Sequence, residues 1–152
     1  SWNLDYIWNM RKILYTIIVV LCMACTLGTM AKDGNKIIPR VYVFGMSTSF
    51  NDSTVFFTDI MTLDSVFEDG RSGFIIGRDN YSLQLRYYLE GKGYSQRTCV
   101  FVSGKDQKHI MKKYEKMKSR YTKKGGSDIL LIDKSEFAFT PISITSLMPV
   151  EK

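Results

Sequence analysis

Between Lys105 and Lys124 the chain reads KDQKHIMKKYEKMKSRYTKK. Lys105, Lys108, Lys112, Lys113, Lys116, Lys118, Arg120, Lys123 and Lys124 stand against Asp106 and Glu115, nine cations to two carboxylates. Cations at this density can hold the phosphates of a nucleic acid or of lipid head groups, displacing their counterions. Ile110, Tyr114, Met117 and Tyr121 recur at i, i+4, i+7 and i+11, the apolar stripe of an amphipathic helix. The tyrosines are therefore committed to a core and leave no exposed rings on which bases would stack. The alternative reading is a solvated outer face that keeps a small protein soluble.

The other reactive residue types are sparse. His109 is the single histidine, so a metal site would depend on carboxylates, and its place beside the stripe suits a structural or partly exposed role. The stretch DSVFEDG groups Asp64, Glu68 and Asp69. Grouped carboxylates can serve acid–base work or hold calcium, but this run lacks the alternating oxygens of a calcium loop and reads as a solvated turn. Cys99 lies among Val and Phe, where a thiol is buried and inert rather than nucleophilic. Gly70, Gly73 and Gly77 do not follow a strand with phosphate-loop spacing, and nothing marks a nucleophile elbow. No cofactor and no metal are implied.

The elements that must position these groups follow from periodicity. RVYVFGM (residues 40–46) is rich in β-branched and aromatic residues on both faces, so it reads as a strand covered on both sides. STSFNDS has hairpin chemistry around Asn51-Asp52, and STVFFTDI supplies a second strand. Residues 62–80 are broken by glycine and read as a connection folding across one face, with Phe74-Ile75-Ile76 as a short strand or buried loop. A helix is predicted from Tyr81 to Glu90, N-capped by Asn80, with Tyr81, Leu85, Tyr88 and Leu89 on its inner face and Gly91 and Gly93 as stop signals. RTCVFVS (97–103) reads as a buried strand. The basic helix runs from Lys105 to about Lys123 and ends at Gly125-Gly126. DILLID (128–133) is another buried strand, and EFAFTPISI can add a last edge strand before Pro141. The expected order is ββαβαβ(β), an α/β (α+β) domain with a mixed sheet and two main helices on one face or both.

That order resembles the GIY-YIG nuclease domain over about residues 40–120. In that family two tyrosine- and glycine-bearing strands, an arginine on the first helix and a metal-binding glutamate on the next form the site. Tyr42 echoes the tyrosine strand, Arg86 lies on the first predicted helix and Glu115 on the second. The strands otherwise read Val41-Tyr42-Val43 and Phe56-Phe57-Thr58 in place of the signature triplets. The resemblance implies a divergent metal-dependent hydrolase or nuclease using Tyr42, Arg86 and Glu115.

The opening of the chain bears on compartment. Met10-Arg11-Lys12 is a cationic start, Ile13 to Ala24 an apolar run, and Thr29-Met30-Ala31 a small-residue cleavage site: the three parts of a signal peptide. SWNLDYIWN before Met10 then reads as an upstream extension (1–9), residues 10–31 as the signal peptide and 32–152 as a single exported domain. Two alternatives stay open. One is an uncleaved membrane anchor, since Ile13 to Ala31 nearly reaches the ~20 residues a spanning helix needs. The other is a lipoprotein, with Ala24 preceding a lipidated Cys25. Cleavage near Ala31 removes Cys22 and Cys25, leaves Cys99 without a partner for an internal disulfide, and leaves nineteen basic against fourteen acidic side chains. An export segment followed by a compact lysine-rich α/β domain also resembles, in overall style, small exported proteins of unknown function from Bacteroidota.

These observations favour a non-enzymatic exported domain, periplasmic or extracellular, that binds or builds, with the lysine helix or a sheet surface as its contact. Partners of matching chemistry are an envelope protein, an anionic polymer or a lipid surface. Export puts the helix out of reach of cytoplasmic nucleic acid. The hydrolase reading belongs to a different class and requires Tyr42, Arg86 and Glu115 to converge on one concave surface.

Overall fold

In the computed structural model residues 2–25 and 34–143 are described. The chain divides into two units, Ser1–Gly34 and Asn35–Lys152. The first carries α1 (Trp2–Cys25), which runs through Met10 without a break. Ile7, Trp8, Ile13, Leu14 and Ile17 of this helix are exposed. Among the described residues no helix is long and apolar enough to cross a membrane. The expected cleavage site at Thr29-Met30-Ala31 lies outside the described residues, and so does the side chain of Cys25.

The second unit is built on β1 (Lys36–Thr48), whose alternation sends side chains to two different cores. Val41 and Val43 join one apolar cluster, while Phe44 and Met46 join the other. Antiparallel β2 (Thr54–Thr58) and β3 (Met61–Glu68) both run along one edge of β1, and β4 (Thr98–Gly104) runs antiparallel along the other. Met46 pairs with both Phe57 and Val100, and Val43 with both Met61 and Ser103. β5 (Asp128–Ile132) adds to β2 in parallel, which makes the sheet mixed. The fold is α+β, as the sequence pattern indicates.

β2 and β3 are two halves of one strand interrupted by a bulge. Between the pairs Met46–Phe57 and Val43–Met61, two residues of β1 face three on the partner, Thr58, Asp59 and Ile60. One extra residue on one strand is the defining feature of a β-bulge. The backbone amide of Gly45, opposite the bulge, donates to the Thr58 hydroxyl at 2.8 Å, and that hydroxyl donates to the Asp59 carbonyl at 3.0 Å. The bulged Asp59 turns outward to the far side, where its amide donates to the Ile132 carbonyl and its carboxylate accepts from the Lys134 amide.

α2 (Arg78–Gly91) covers one face of the sheet with Tyr81, Leu85 and Leu89, each at most 1% exposed. Fully burying a leucine is worth about 1.5–3 kcal/mol, so these three side chains dominate the docking of the helix. Gly45 makes that approach possible. A Cβ there would sit 2.7 Å from Leu85 Cδ2 and 2.9 Å from Phe139 Cζ. α3 (Gln107–Lys124) covers the opposite face through Ile110 and Tyr114, with Met117 and Tyr121 at the margin. It carries the chain from β4 on one edge to β5 on the other, giving three layers, helix on sheet on helix.

Four local expectations change. The DILLID segment forms β5 but is not a buried strand: Leu130 and Leu131 are exposed on this edge strand and only Ile132 is fully buried. Residues 61–68 form β3 and are not a connection. Alternation fails to reveal the strand because Leu63 and Val66, three apart, are both buried, and Ser65 between them has φ 56°. α2 starts at Arg78 rather than Tyr81, and its N-cap is Gly77 (φ 82°) rather than Asn80. The Ile76 amide donates to the Phe67 carbonyl, so the chain must leave β3 and enter the helix within one residue, in a conformation that glycine adopts without steric cost. The EFAFTPISI segment adds no strand over its described residues, 136–143. Phe137 and Phe139 bury into the cluster under α2, and Gln84 supplies hydrogen bonds to both the amide and the carbonyl of Thr140 in place of a ladder.

Candidate anion-binding face

α3 is set by its ends. Asp106 is the N-cap, its carboxylate accepting from the amides of Lys108 (3.4 Å) and His109 (3.2 Å). Gly125, at φ 65°, ends the helix, and Lys123 and Lys124 complement the negative end of its dipole. With Ile110 and Tyr114 turned to the sheet, a period of 3.6 residues aims positions 108, 112, 116 and 123 outward.

Lys108, Lys112, Lys116, Arg120 and Lys124 form one unbroken i, i+4 row along the exposed side, flanked by Lys113 and Lys123. The axial rise between successive members is about 6 Å, so the row extends on the order of 24 Å. Among the described residues no carboxylate forms a salt bridge with any of these seven side chains. Each like-charged i, i+4 pair costs the helix about 0.2–0.5 kcal/mol, a repulsion that a bound polyanion relieves. Two members of the expected cationic set are engaged elsewhere. Lys105 precedes the helix and its Nζ lies 2.7 Å from Oε2 of the buried Glu68, while Lys118 Nζ rests 5.7 Å from the Tyr114 ring centroid. His109 is exposed beside the row.

The opposite flank of α3 has different chemistry. Gln107 and Met111 border a cleft of about 530 Å³, lined also by Tyr42, Ile60 and Lys134, which continues into a smaller one lined by Asp59, Tyr114 and Glu115. Burial raises the Tyr114 phenol pKa, and the carboxylates of Asp59 and Glu115 add to the rise. Tyr42 and Glu115 thus share the α3 face. Arg86 does not. It lies on α2, on the other side of the sheet, in an exposed i, i+4 bridge to Glu90 at 3.0 Å. The sheet separates Arg86 from the two other residues that a GIY-YIG-like centre would join, and the three do not fit a shared metal site.

The acidic stretch is dispersed as well. Asp64 pairs with Arg40, Glu68 with Lys105, and Asp69 accepts from Ser72 Oγ and the Arg71 amide, which lowers its pKa. Among the described residues no group of three potential metal-ligating side chains forms. Cys99 is half-buried and donates to Ser47 Oγ at 3.4 Å, and burial raises its pKa.

One polar centre has no counterpart in the sequence reading. Arg97, its side chain 1% exposed, binds both carboxylate oxygens of Asp52 (3.0 and 2.9 Å), Ser47 Oγ, and the carbonyls of Ser47 and Thr54. Its guanidinium also lies over the Phe56 ring at 4.8 Å. It clamps the β1–β2 loop to the start of β4. The available signal was an arginine opening an otherwise apolar strand, with an aspartate in the hairpin loop.

No family model, curated protein or solved structure matches the chain.

Proposed function

We propose that the domain is an exported, non-enzymatic binding module whose ligand is polyanionic and lies along the exposed row of α3. The observation that carries this is the row itself: five cations in continuous i, i+4 sequence, flanked by two more, with no salt-bridge partner among the described residues. A face kept merely soluble is served by interspersed charges of both signs. This one sets those seven cations against a single exposed carboxylate, Glu115, on the outside of a helix whose inside is fully used by the core. Export rests on the cationic start, apolar run and small-residue site of residues 10–31. The hydrolase alternative loses its geometric basis with Arg86 on the opposite face of the sheet.

The test is retention on an immobilised polyanion across a salt series, for the native protein and for a Lys112→Gln/Lys116→Gln/Arg120→Gln variant. Neutralising three of the seven cations lowers the eluting salt concentration and flattens the dependence of affinity on salt. Retention that ignores ionic strength, or an unchanged profile in the variant, removes α3 as the contact.

A further inference from the structure

Phe50, at the tip of the β1–β2 hairpin, is 103% exposed, its ring wholly in water. The loop is not slack. Ser49 Oγ accepts from the Asn51 amide at 3.1 Å and donates to the Gln96 carbonyl, and Asn51 Nδ2 donates to Gln96 Oε1 at 3.1 Å. The Arg97–Asp52 pair closes its base. The ring is therefore held outward by its neighbours.

Strand register shows what surrounds it. Thr48 pairs with Thr98 and Thr54 with Asp128, so the residues just before β4 and β5 lie at the same end of the sheet as Phe50. Lys92 ends α2 there, and Lys123 and Lys124 end α3 there. The Phe50 ring projects from an end of the domain that also carries the partly exposed Tyr94, packed edge-on against Phe56, and lysines from two helix termini.

We propose that this end docks on a lipid bilayer bearing anionic head groups, with Phe50 entering the interface and Lys92, Lys123 and Lys124 meeting the phosphates. The proposal rests on the polyanion reading through Lys123 and Lys124, which close the α3 row, and places the bilayer at that end of it. The shape of the feature selects the bilayer. A protein partner needs a contiguous apolar area, and Phe50 with a Tyr94 already packed against Phe56 does not supply one. Single-stranded nucleic acid is held by successive rings along a groove, whereas Phe50 stands on a convex tip and the nearby Tyr94 is packed edge-on against Phe56. A bilayer interface accepts an isolated aromatic side chain, and basic side chains gain attraction within a Debye length of its surface.

The experiment uses the full chain with 4-fluorophenylalanine at position 50 or, as a control, at position 74. Phe74 is also exposed but lies at the opposite end of the sheet, where Ile75 bridges to Glu68. Fluorine spectra are recorded with phosphatidylglycerol/phosphatidylcholine vesicles carrying an acyl-chain nitroxide, against the same vesicles without it. The expected result is nitroxide broadening at 50 and not at 74, lost at high salt. Phe50→Ser is expected to weaken vesicle binding about tenfold, as the loss of one partly buried ring requires. Equal broadening at both positions, none at 50 in vesicle-bound protein, or unchanged affinity for Phe50→Ser overturns the proposal. So does a single-stranded oligonucleotide that shifts the resonance at 50 and displaces the protein from vesicles. Retention on immobilised polyphosphate without vesicle binding sinks the bilayer proposal and leaves the polyanion reading standing. Failure to bind either sinks both.

Discussion

Replacing Thr58 by valine tests the bulge that joins β2 to β3. Threonine and valine are nearly isosteric, and Thr58 is fully buried, so the change removes a hydroxyl and little else. That hydroxyl is the acceptor for the Gly45 amide at 2.8 Å and a donor to the Asp59 carbonyl at 3.0 Å. Because the extra residue of the bulge carries the partner backbone away, no ladder carbonyl is in register to replace it. A buried donor left without a partner costs about 1–3 kcal/mol. The added methyl returns at most about 0.8 kcal/mol through burial. The expected net loss is about 0.2–2.2 kcal/mol, at most roughly 10 °C in Tm for a domain of this size. Urea melts measure the free energy, and amide exchange at Gly45 reports the bond itself, with protection falling there more than at Val43. Thr62→Val, on the exposed face of β3, is the control and stays within about 0.5 kcal/mol of the native protein. A Thr58→Val variant as stable as this control, with Gly45 still protected, would refute the claim that the side chain substitutes for the missing ladder bond.

Other consequences can be measured independently. Gly45→Ala drives a methyl against Leu85 and Phe139 and is expected to cost about 1–3 kcal/mol by overpacking, read from denaturant midpoints. The Lys112→Gln/Lys116→Gln/Arg120→Gln variant keeps or slightly raises its melting temperature at low salt while losing polyanion retention, because like-charge pairs are removed from a face that packs nothing. Acid titration of stability tests the Arg97 clamp. The Arg97 hydrogen bond holds the Asp52 carboxyl below its ordinary range, so its stabilisation is present above the unfolded pKa and is lost as pH falls through the folded value. In Asp52→Asn the loss of stability below about pH 4 is shallower, with the remaining slope carried by Asp69 and Asp133, whose pKa values are also lowered; an acid limb of unchanged steepness contradicts the assignment.

The legible parts of the chain were those governed by neighbours in sequence. The stripe of Ile110, Tyr114, Met117 and Tyr121 is a property of helical period alone, and it set both the buried and the exposed sides of α3. The i, i+4 row of cations was present in the same residues and needed only that phase. β1 showed apolar residues on both faces, and both are covered. β3 was missed because a left-handed Ser65 breaks its alternation, and the start of α2 was missed because a glycine took the place of a side-chain cap. Lys105 and Lys118 belonged to the cationic set by type, and contacts with Glu68 and Tyr114 separated them from it.

From residue order alone came the class of fold, the two amphipathic helices and the concentration of charge on one of them, since each is set by local periodicity and by the order of elements along the chain. Only the tertiary structure decided which side of the sheet each helix covers. That choice joined Tyr42 with Glu115 and put Arg86 beyond their reach. It also made the bulge, where two residues of β1 face three of its partner. And it brought Arg97 to Asp52, 45 positions apart in the chain. Such pairings are settled by strand register and packing, and register is a relation between segments that neither segment carries by itself.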